Sequence, residues 1–348
     1  MTPTNGLFGS DDDGAKQKAT KKPRAPRTPK ATTVDAVPPT AEQIDLSQRL
    51  PAHVRLGTSS WSFPGWEGLV YANKAPEKLL SNDGLRAYSR HPLLRTVGID
   101  RTHYAPIPSA QFAQYAEQVP DDFRFLVKAH EACTLFQWPT HPRYGQRKGQ
   151  QNELFCDASY AARAVVEPAV RGLGDKLQCL LFQIAPQPLK PIGGADAFIA
   201  KLHAFLSALP KGPNYAIELR NRELLTSDYA AALADAHAIH GHTVLRRMPP
   251  LVEQWSKSRS ANATPGAPLL IRWMLHRDHD YESALEHYEP FHELVDEDAT
   301  TRDQIALLAV EAAAAERPVT VIVNNKAEGS APLSVFKLAS RIADELRR

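Results

Sequence analysis

The run YAIELR (215–220) places a carboxylate, Glu218, two residues before a guanidinium, Arg220. Side chains two apart on an extended chain share a face, so this pair points one way while Ile217 and Leu219 form an apolar opposite face. The same alternation selects Lys128 and His130 in FRFLVKAH (123–130), Gln183 in LQCLLFQI (177–184), Arg272 beside Leu270 in LLIRWM (269–274), and Gly98, Asp100 and Thr102 in VGIDRT (97–102). If these runs are parallel strands ending on one side, Lys128, Arg220 and Arg272 converge with only Glu218 and Asp100 opposing them. Unpaired buried cations are costly, and an anionic ligand relieves them. Such a set offers acid or base work by Glu218 with Asp100 as its partner, and anion clamping by the three cations. Asn324 and Asn325 would donate to a developing oxyanion. Arg246 extends the set. The competing reading is a structural Glu–Arg plug, since a buried ion pair can exist without a ligand.

The elements that must position these side chains are legible as alternation. Beyond His53, short apolar, β-branched runs are separated by longer helical stretches, the pattern of parallel strands with crossover helices. The runs are VRLGTS (54–59), RTVGID (95–100), FRFLVKA (123–129), LQCLLFQI (177–184), YAIELR (215–220), TVLRR (243–247), LLIRWM (269–274) and VTVIVNN (319–325). Helices are predicted over 109–118, 154–169, 195–209, 227–240 and 301–316. Eight strands so connected predict a (β/α)8 TIM-type barrel over residues 53–348, with an open doubly wound sheet as the alternative. Barrel sites form where strands end, which is where each polar residue above sits. Two long connections, 137–152 and 249–268, emerge on that face and read as lids or disordered inserts.

After Asn324, Asn325 and Lys326 comes Glu328-Gly329-Ser330-Ala331-Pro332, then a stripe of Val335, Leu338, Ala339, Ile342 and Leu346. Ser330 is a candidate N-cap, and free backbone N–H groups around Gly329 and Ser330 would face the place where barrels often hold phosphate; ordinary capping explains them equally. Trp61, Trp66, Tyr71 and Tyr104 follow the first two strands, where they could stack on a sugar or base, or simply seal the rim. His276, His279, Asp280 and His287 match no standard metal spacing, so no metal site is assigned. There is no Gly-x-Ser-x-Gly elbow, Walker loop or dinucleotide fingerprint, and no cofactor is named by the sequence.

Composition bounds the rest. Of 348 residues, 41 are Lys or Arg and 39 are Asp or Glu, a balance that gives no global field for nucleic acid or membrane. Residues 1–45 read as a disordered tail, because KQKATKKPRAPRTPK (16–30) has seven basic residues, three prolines and no large apolar side chain. That segment is either a solvated spacer or a weak polyanion contact. Three cysteines without paired spacing, a polar start and no apolar run of ~20 residues predict a cytoplasmic protein without membrane contact.

Several segments together resemble the DUF72, or YecE-like, family: GTSSWSFPGWEGLVY (57–71), VGIDRTHYAPIPSAQFAQYAEQVPDDFRFLVKA (97–129), LLFQIAP (180–186), AIELRNREL (216–224) and VNNKAEGSAP (323–332). The resemblance implies a TIM-like barrel of unestablished biochemical activity. The family's Gly-Thr-Ser-Gly-Trp is similar to Gly57 through Trp61, with Ser60 in place of glycine. Its acidic-x-Asn resembles Gly98-Ile99-Asp100, its Glu-x-Arg resembles Glu218-Leu219-Arg220, and its paired Asn resembles Asn324 and Asn325. Two functional readings follow. One is an enzyme for a small phosphorylated, carboxylated or sugar-like substrate; the other is a non-catalytic binder of nucleotide or nucleic-acid phosphate, assisted by the basic tail.

Overall fold

A computed structural model describes residues 33–261 and 266–348. The basic run 16–30 expected to contact polyanions lies outside the described residues.

Eight parallel strands close into a barrel in chain order: β1 (Val54–Thr58), β2 (Leu94–Ile99), β3 (Arg124–Lys128), β4 (Leu177–Ile184), β5 (Tyr215–Leu219), β6 (Ile239–Val244), β7 (Leu269–Trp273) and β8 (Val319–Val323). β8 pairs with β1, Val319 opposite Val54. Around it run α1 (Ala41–Arg49), α2 (Glu77–Tyr88), α3 (Ser109–Ala116), α4 (Ala158–Ala161), α5 (Glu167–Leu173), α6 (Ala195–Ala208), α7 (Ser227–Asp235), α8 (Leu251–Lys257), α9 (Tyr281–Tyr288), α10 (Ala299–Ala314) and α11 (Ala331–Glu345). The eight-stranded (β/α)8 architecture is the one expected from the alternation.

Parity divides each strand between two cores. Leu126, Cys179, Leu181, Ala216, Ile239, Leu270 and Ile322 form an inner apolar cluster on the barrel axis. Their strand neighbours Val127, Leu180, Phe182, Ile217, Leu219, Ile271 and Val321 belong to the outer cluster beneath the helices. Burying each such side chain fully contributes ~1.5–3 kcal/mol. Above the inner cluster, toward the C-terminal ends, the axial positions turn polar: Lys128, Gln183, Glu218 and Arg272, with Gln183 in register with Glu218. Gly57 sits where the β1–β2 register shifts, and a Cβ there would meet Thr96 O at 1.8 Å, so only glycine fits that seam.

Three expectations need correction. Residues 33–45 belong to the fold: Val37 N donates to Val70 O and Ala72 N to Asp35 O, and a Thr40–Gln43 capping box opens α1. Leu46 is buried, and Arg49 pairs with Asp344 of α11 at 3.2 Å. The sixth strand is Ile239–Val244, not 243–247, because helix α7 stops early and His237 takes a positive φ of 55°. His240 and His242 interrupt what would otherwise read as an apolar run, yet both are fully buried. Residues 154–169 are not one helix; α4 and α5 are joined by a π turn over Ala162–Val166 ahead of Pro168.

The first long connection is a built structure, and so is the described part of the second. In the first, Trp138 N donates to Gln150 O (3.0 Å), and Asn152 Nδ2 donates to Ala132 O and Leu135 O (2.7 and 2.6 Å). Trp138 and Tyr144 are buried in a small core with Ala132 and Leu135. The second contains α8, whose Gln254 side chain bonds both the N–H and the C=O of Thr243. Among the described residues no helix is long and apolar enough to cross a membrane.

Candidate anion pocket at the barrel mouth

Glu218, fully buried, is the hub of the strand-end charges. Arg272 Nη1 donates to its Oε2 at 2.6 Å, while Arg220 Nε and Nη2 donate to its Oε1 at 3.0 and 2.9 Å. Gln183 Oε1 accepts from Arg220 Nη2 at 2.8 Å, which ties β4 to β5. Arg272 Nη2 reaches across the barrel to Asp100 Oδ2 at 3.2 Å. Burial works to raise the Glu218 carboxyl, but Arg272, Arg220 and Lys128 overcome it and hold the group down at about 2. The result is a rigid Arg–Glu–Arg bridge whose carboxylate is committed to its partners.

Lys128 has no such partner. The residue is 8% exposed, and its ammonium makes no hydrogen bond or ion pair among the described residues. Burial lowers its pKa to about 8, against the pull of Asp100 and with the push of Arg272 and Arg220. Arg220 is also incompletely used: its Nη1 is bonded to nothing among the described residues, and a quarter of the side chain is exposed. Two grooves flank this mouth and meet at Tyr281. One, of about 550 Å³, is walled by Arg220, Arg246, Arg247, Met248 and Leu275. The other, of about 820 Å³, is walled by Ser59, Phe63, Asp100, Phe291, Asn324 and Lys326. A further cavity of about 780 Å³ lies on the barrel flank near Arg86, Arg101 and Tyr115 and contains none of the converging strand-end residues.

The sequence profile of the family described as "Protein of unknown function DUF72" matches residues 55–348. The chain belongs to the DUF72 family. Crystal structures of DUF72 relatives share the fold. One from Enterococcus faecalis V583 aligns with a TM-score of 0.54 at 18% identity, covering 85% of this chain and 96% of that one. Another from Thermotoga maritima MSB8 gives 0.55 at 18% identity, covering 85% and 99%. No curated protein matches the sequence.

In this DUF72 chain, Asp100, Lys128, Gln183, Glu218, Arg220 and Arg272 come together, and Asn324 lines the adjoining groove with its Nδ2 donating to Ser59 Oγ at 2.8 Å. Tyr104 is 62% exposed at the rim, beneath the Arg143 guanidinium. Arg246 is exposed on the groove wall and does not reach the cluster. His130 lies past the end of β3, where strand parity no longer holds; its Nδ1 faces Tyr160 Oη at 2.6 Å.

Five expected ligand contacts are structural. Trp61 is buried and donates to Leu80 O (3.1 Å), and Trp66 is fully buried and donates to Asn325 Oδ1 (3.1 Å). Asn325 Oδ1 also accepts from Ala331 N at 2.9 Å, so Asn325, rather than Ser330, satisfies the start of α11. Gly329 and Ser330 are covered by the 293–295 backbone: Val295 N donates to Glu328 O at 2.8 Å, and a Cβ on Gly329 would meet Glu293 O at 2.6 Å. That helix N-terminus therefore opens onto protein.

The sequence reading missed His103, Glu131, Arg143 and Tyr144. Asp100 has helical φ and ψ (−86°, −17°), which ends the two-residue alternation. Thr102 consequently donates its hydroxyl to Ile99 O and Lys128 O, and His103 takes the position beside Lys128. Burial, then Lys128, drives the His103 imidazole down to about 3, so it stays neutral. Glu131 accepts from Arg143 Nη2 (2.7 Å) and Tyr144 Oη (2.9 Å), pinning the 137–152 lobe over the mouth. Nothing in local composition distinguishes Arg143 from its basic neighbours; only the folded lobe does. Elsewhere, His279 and His287 both approach Asp296 Oδ2 (3.1 and 3.5 Å), and Asp280 caps α9.

Proposed function

We propose that this DUF72 protein binds a small anion, phosphorylated, carboxylated or sugar-acid-like, at the C-terminal mouth of its barrel, and acts on it there. The observation that carries this is the Lys128 ammonium, nearly buried and in no ion pair among the described residues, while the nearest fully buried carboxylate is already shared by two guanidiniums. Lys128, Arg220 and Arg272 against Glu218 and Asp100 leave one positive charge uncompensated, and a buried charge in that state is stabilised by an incoming anion. Lys128 Nζ and Arg220 Nη1 are the contacts; Arg220 lines one flanking groove and Asn324 the other. Glu218 and Arg272 serve as scaffold, since a carboxylate held ionised by two arginines is a poor proton shuttle; any proton transfer falls to Lys128. Asp100 and Gln183 orient the guanidiniums.

Thermal shift against oxalate and inorganic phosphate tests it. A ligand at a hundred times its dissociation constant stabilises by ~2.7 kcal/mol, and Lys128→Met abolishes that gain while the ligand-free variant melts no lower than wild type. A large fall in ligand-free melting temperature, with anion stabilisation intact, refutes the pocket. The contact of residues 16–30 with polyanions is a separate proposal. Removal of residues 1–32 should abolish heparin binding and leave small-anion stabilisation unchanged, and retention of heparin binding overturns it.

A further inference from the structure

We infer that Lys128 forms a protonated imine with the carbonyl carbon of a small 2-oxo acid whose carboxylate is held by Arg220. The inference rests on the anion-pocket reading and names its substrate class. An anion site built only for charge does not need an amine. Guanidiniums bind carboxylate and phosphate with fixed geometry and stay charged, and Arg220 and Arg272 already supply two of them. Lys128 differs in that no hydrogen bond or ion pair holds its ammonium; Asp100 and Glu218 favour its charged form from a distance, but burial and the two guanidiniums outweigh them. It lies at the last residue of β3, on the axial face, with the Asp100 and Glu218 carboxylates, two guanidiniums and a neutral imidazole, His103, as its electrostatic neighbours. An amine desolvated and set beside other cations is the recognised way to make lysine nucleophilic near neutral pH. With a folded value of about 8, its free-amine fraction near neutrality exceeds that of a solvent lysine by on the order of a hundredfold. The Arg220 Nη1 without a partner supplies the complementary half: a carboxylate seated there would present its adjacent carbonyl toward the mouth.

The step balances without a co-reactant. The Lys128 nitrogen, after releasing a proton, attacks the carbonyl carbon; the C–N bond forms and the carbonyl oxygen is protonated to a carbinolamine. A second proton on that oxygen lets it leave as water, giving the protonated imine. The sum is one ammonium and one carbonyl converted to one iminium and one water, with no change in charge.

The full-length protein is incubated with glyoxylate or pyruvate and sodium cyanoborohydride, digested and mapped by mass spectrometry, with and without excess oxalate. Oxalate stabilisation is measured in parallel on wild type, Lys128→Arg and Lys128→Met. The expected result is reductive alkylation concentrated at Lys128, roughly tenfold or more above any surface lysine, and suppressed by oxalate. Lys128→Arg is expected to keep much of the oxalate stabilisation and lose the adduct. Alkylation of Lys128 no greater than that of surface lysines, with oxalate stabilisation intact in wild type and lost in Lys128→Met, overturns the imine and leaves the anion pocket standing. Absence of both adduct and oxalate stabilisation overturns the two together. Should Lys128→Met fail to fold, the Lys128→Arg comparison alone carries the decision.

Discussion

Two buried charge networks in this barrel invite comparison. Behind α11, Glu328 is fully buried and accepts from Arg302 and from Asp298 N, while Arg302 also pairs with Glu297, which Lys337 in turn neutralises. Every charge there has an opposite beside it, and burial raises the Glu328 carboxyl above its ordinary value. At the mouth, burial is just as complete, yet Glu218 is driven down because cations outnumber carboxylates, and Lys128 is left over. Depth therefore does not separate scaffold from site. The sign of the residual charge does, since a balanced network has nothing to offer a ligand and an unbalanced one does.

The sharpest way to break the comparison is to delete each hub. Glu218→Gln leaves two guanidiniums without their shared carboxylate, and should cost ~3–5 kcal/mol in urea unfolding. A loss under ~1 kcal/mol would mean the mouth charges are solvated and the contrast is false. The same group sets an acid limb. Its folded value lies below the ordinary 4.5, so its contribution is fully present above that pH and fades as pH falls toward about 2. Lys128 predicts a second limb of the same sign at the alkaline end. Its folded value of about 8 lies below the ordinary 10.5, so the unfolded chain holds more protons between those values and stability rises with pH across that window, by up to ~3 kcal/mol. Lys128→Met should flatten this rise, and an identical slope in both proteins would show the ammonium to be solvated or paired. Glu328→Gln, by contrast, should cost less, ~1–3 kcal/mol, since Arg302 keeps its ion pair with Glu297. Smallest is Arg143→Ala. Its guanidinium is nearly half exposed, so stability should change by no more than ~1 kcal/mol while amides of the 137–152 lobe exchange faster. Unchanged exchange would show that Trp138 and Tyr144 hold the lobe unaided.

The barrel was readable because eight short β-branched runs alternate with helix-forming stretches, a repeat no single substitution disguises. β6 was misplaced because His240 and His242 look polar in a list and are core in the fold, each bonded through its ring. Strand parity located Lys128, Gln183, Glu218 and Arg272 because extended backbone enforces it. It failed beyond the strand ends, at His130 after β3 and at Thr102 after β2, where the chain had already turned. Asn325 and Ser330 were misassigned for a different reason: their chemistry suits a ligand or a cap equally, and only the covering segment 293–295 decides.

Gly65 has a mechanical consequence. A Cβ there would lie 1.9 Å from Pro290 O, so the β1–α2 connection and the segment before Phe291 meet backbone against backbone along the larger groove. A gap set by main chain cannot be retuned by swinging a rotamer, as a gap between side chains can. Where they meet, the two sides are held at main-chain contact distance. The spacing of these two segments is therefore written into the chain's covalent geometry, and a single methyl group at position 65 would force them apart.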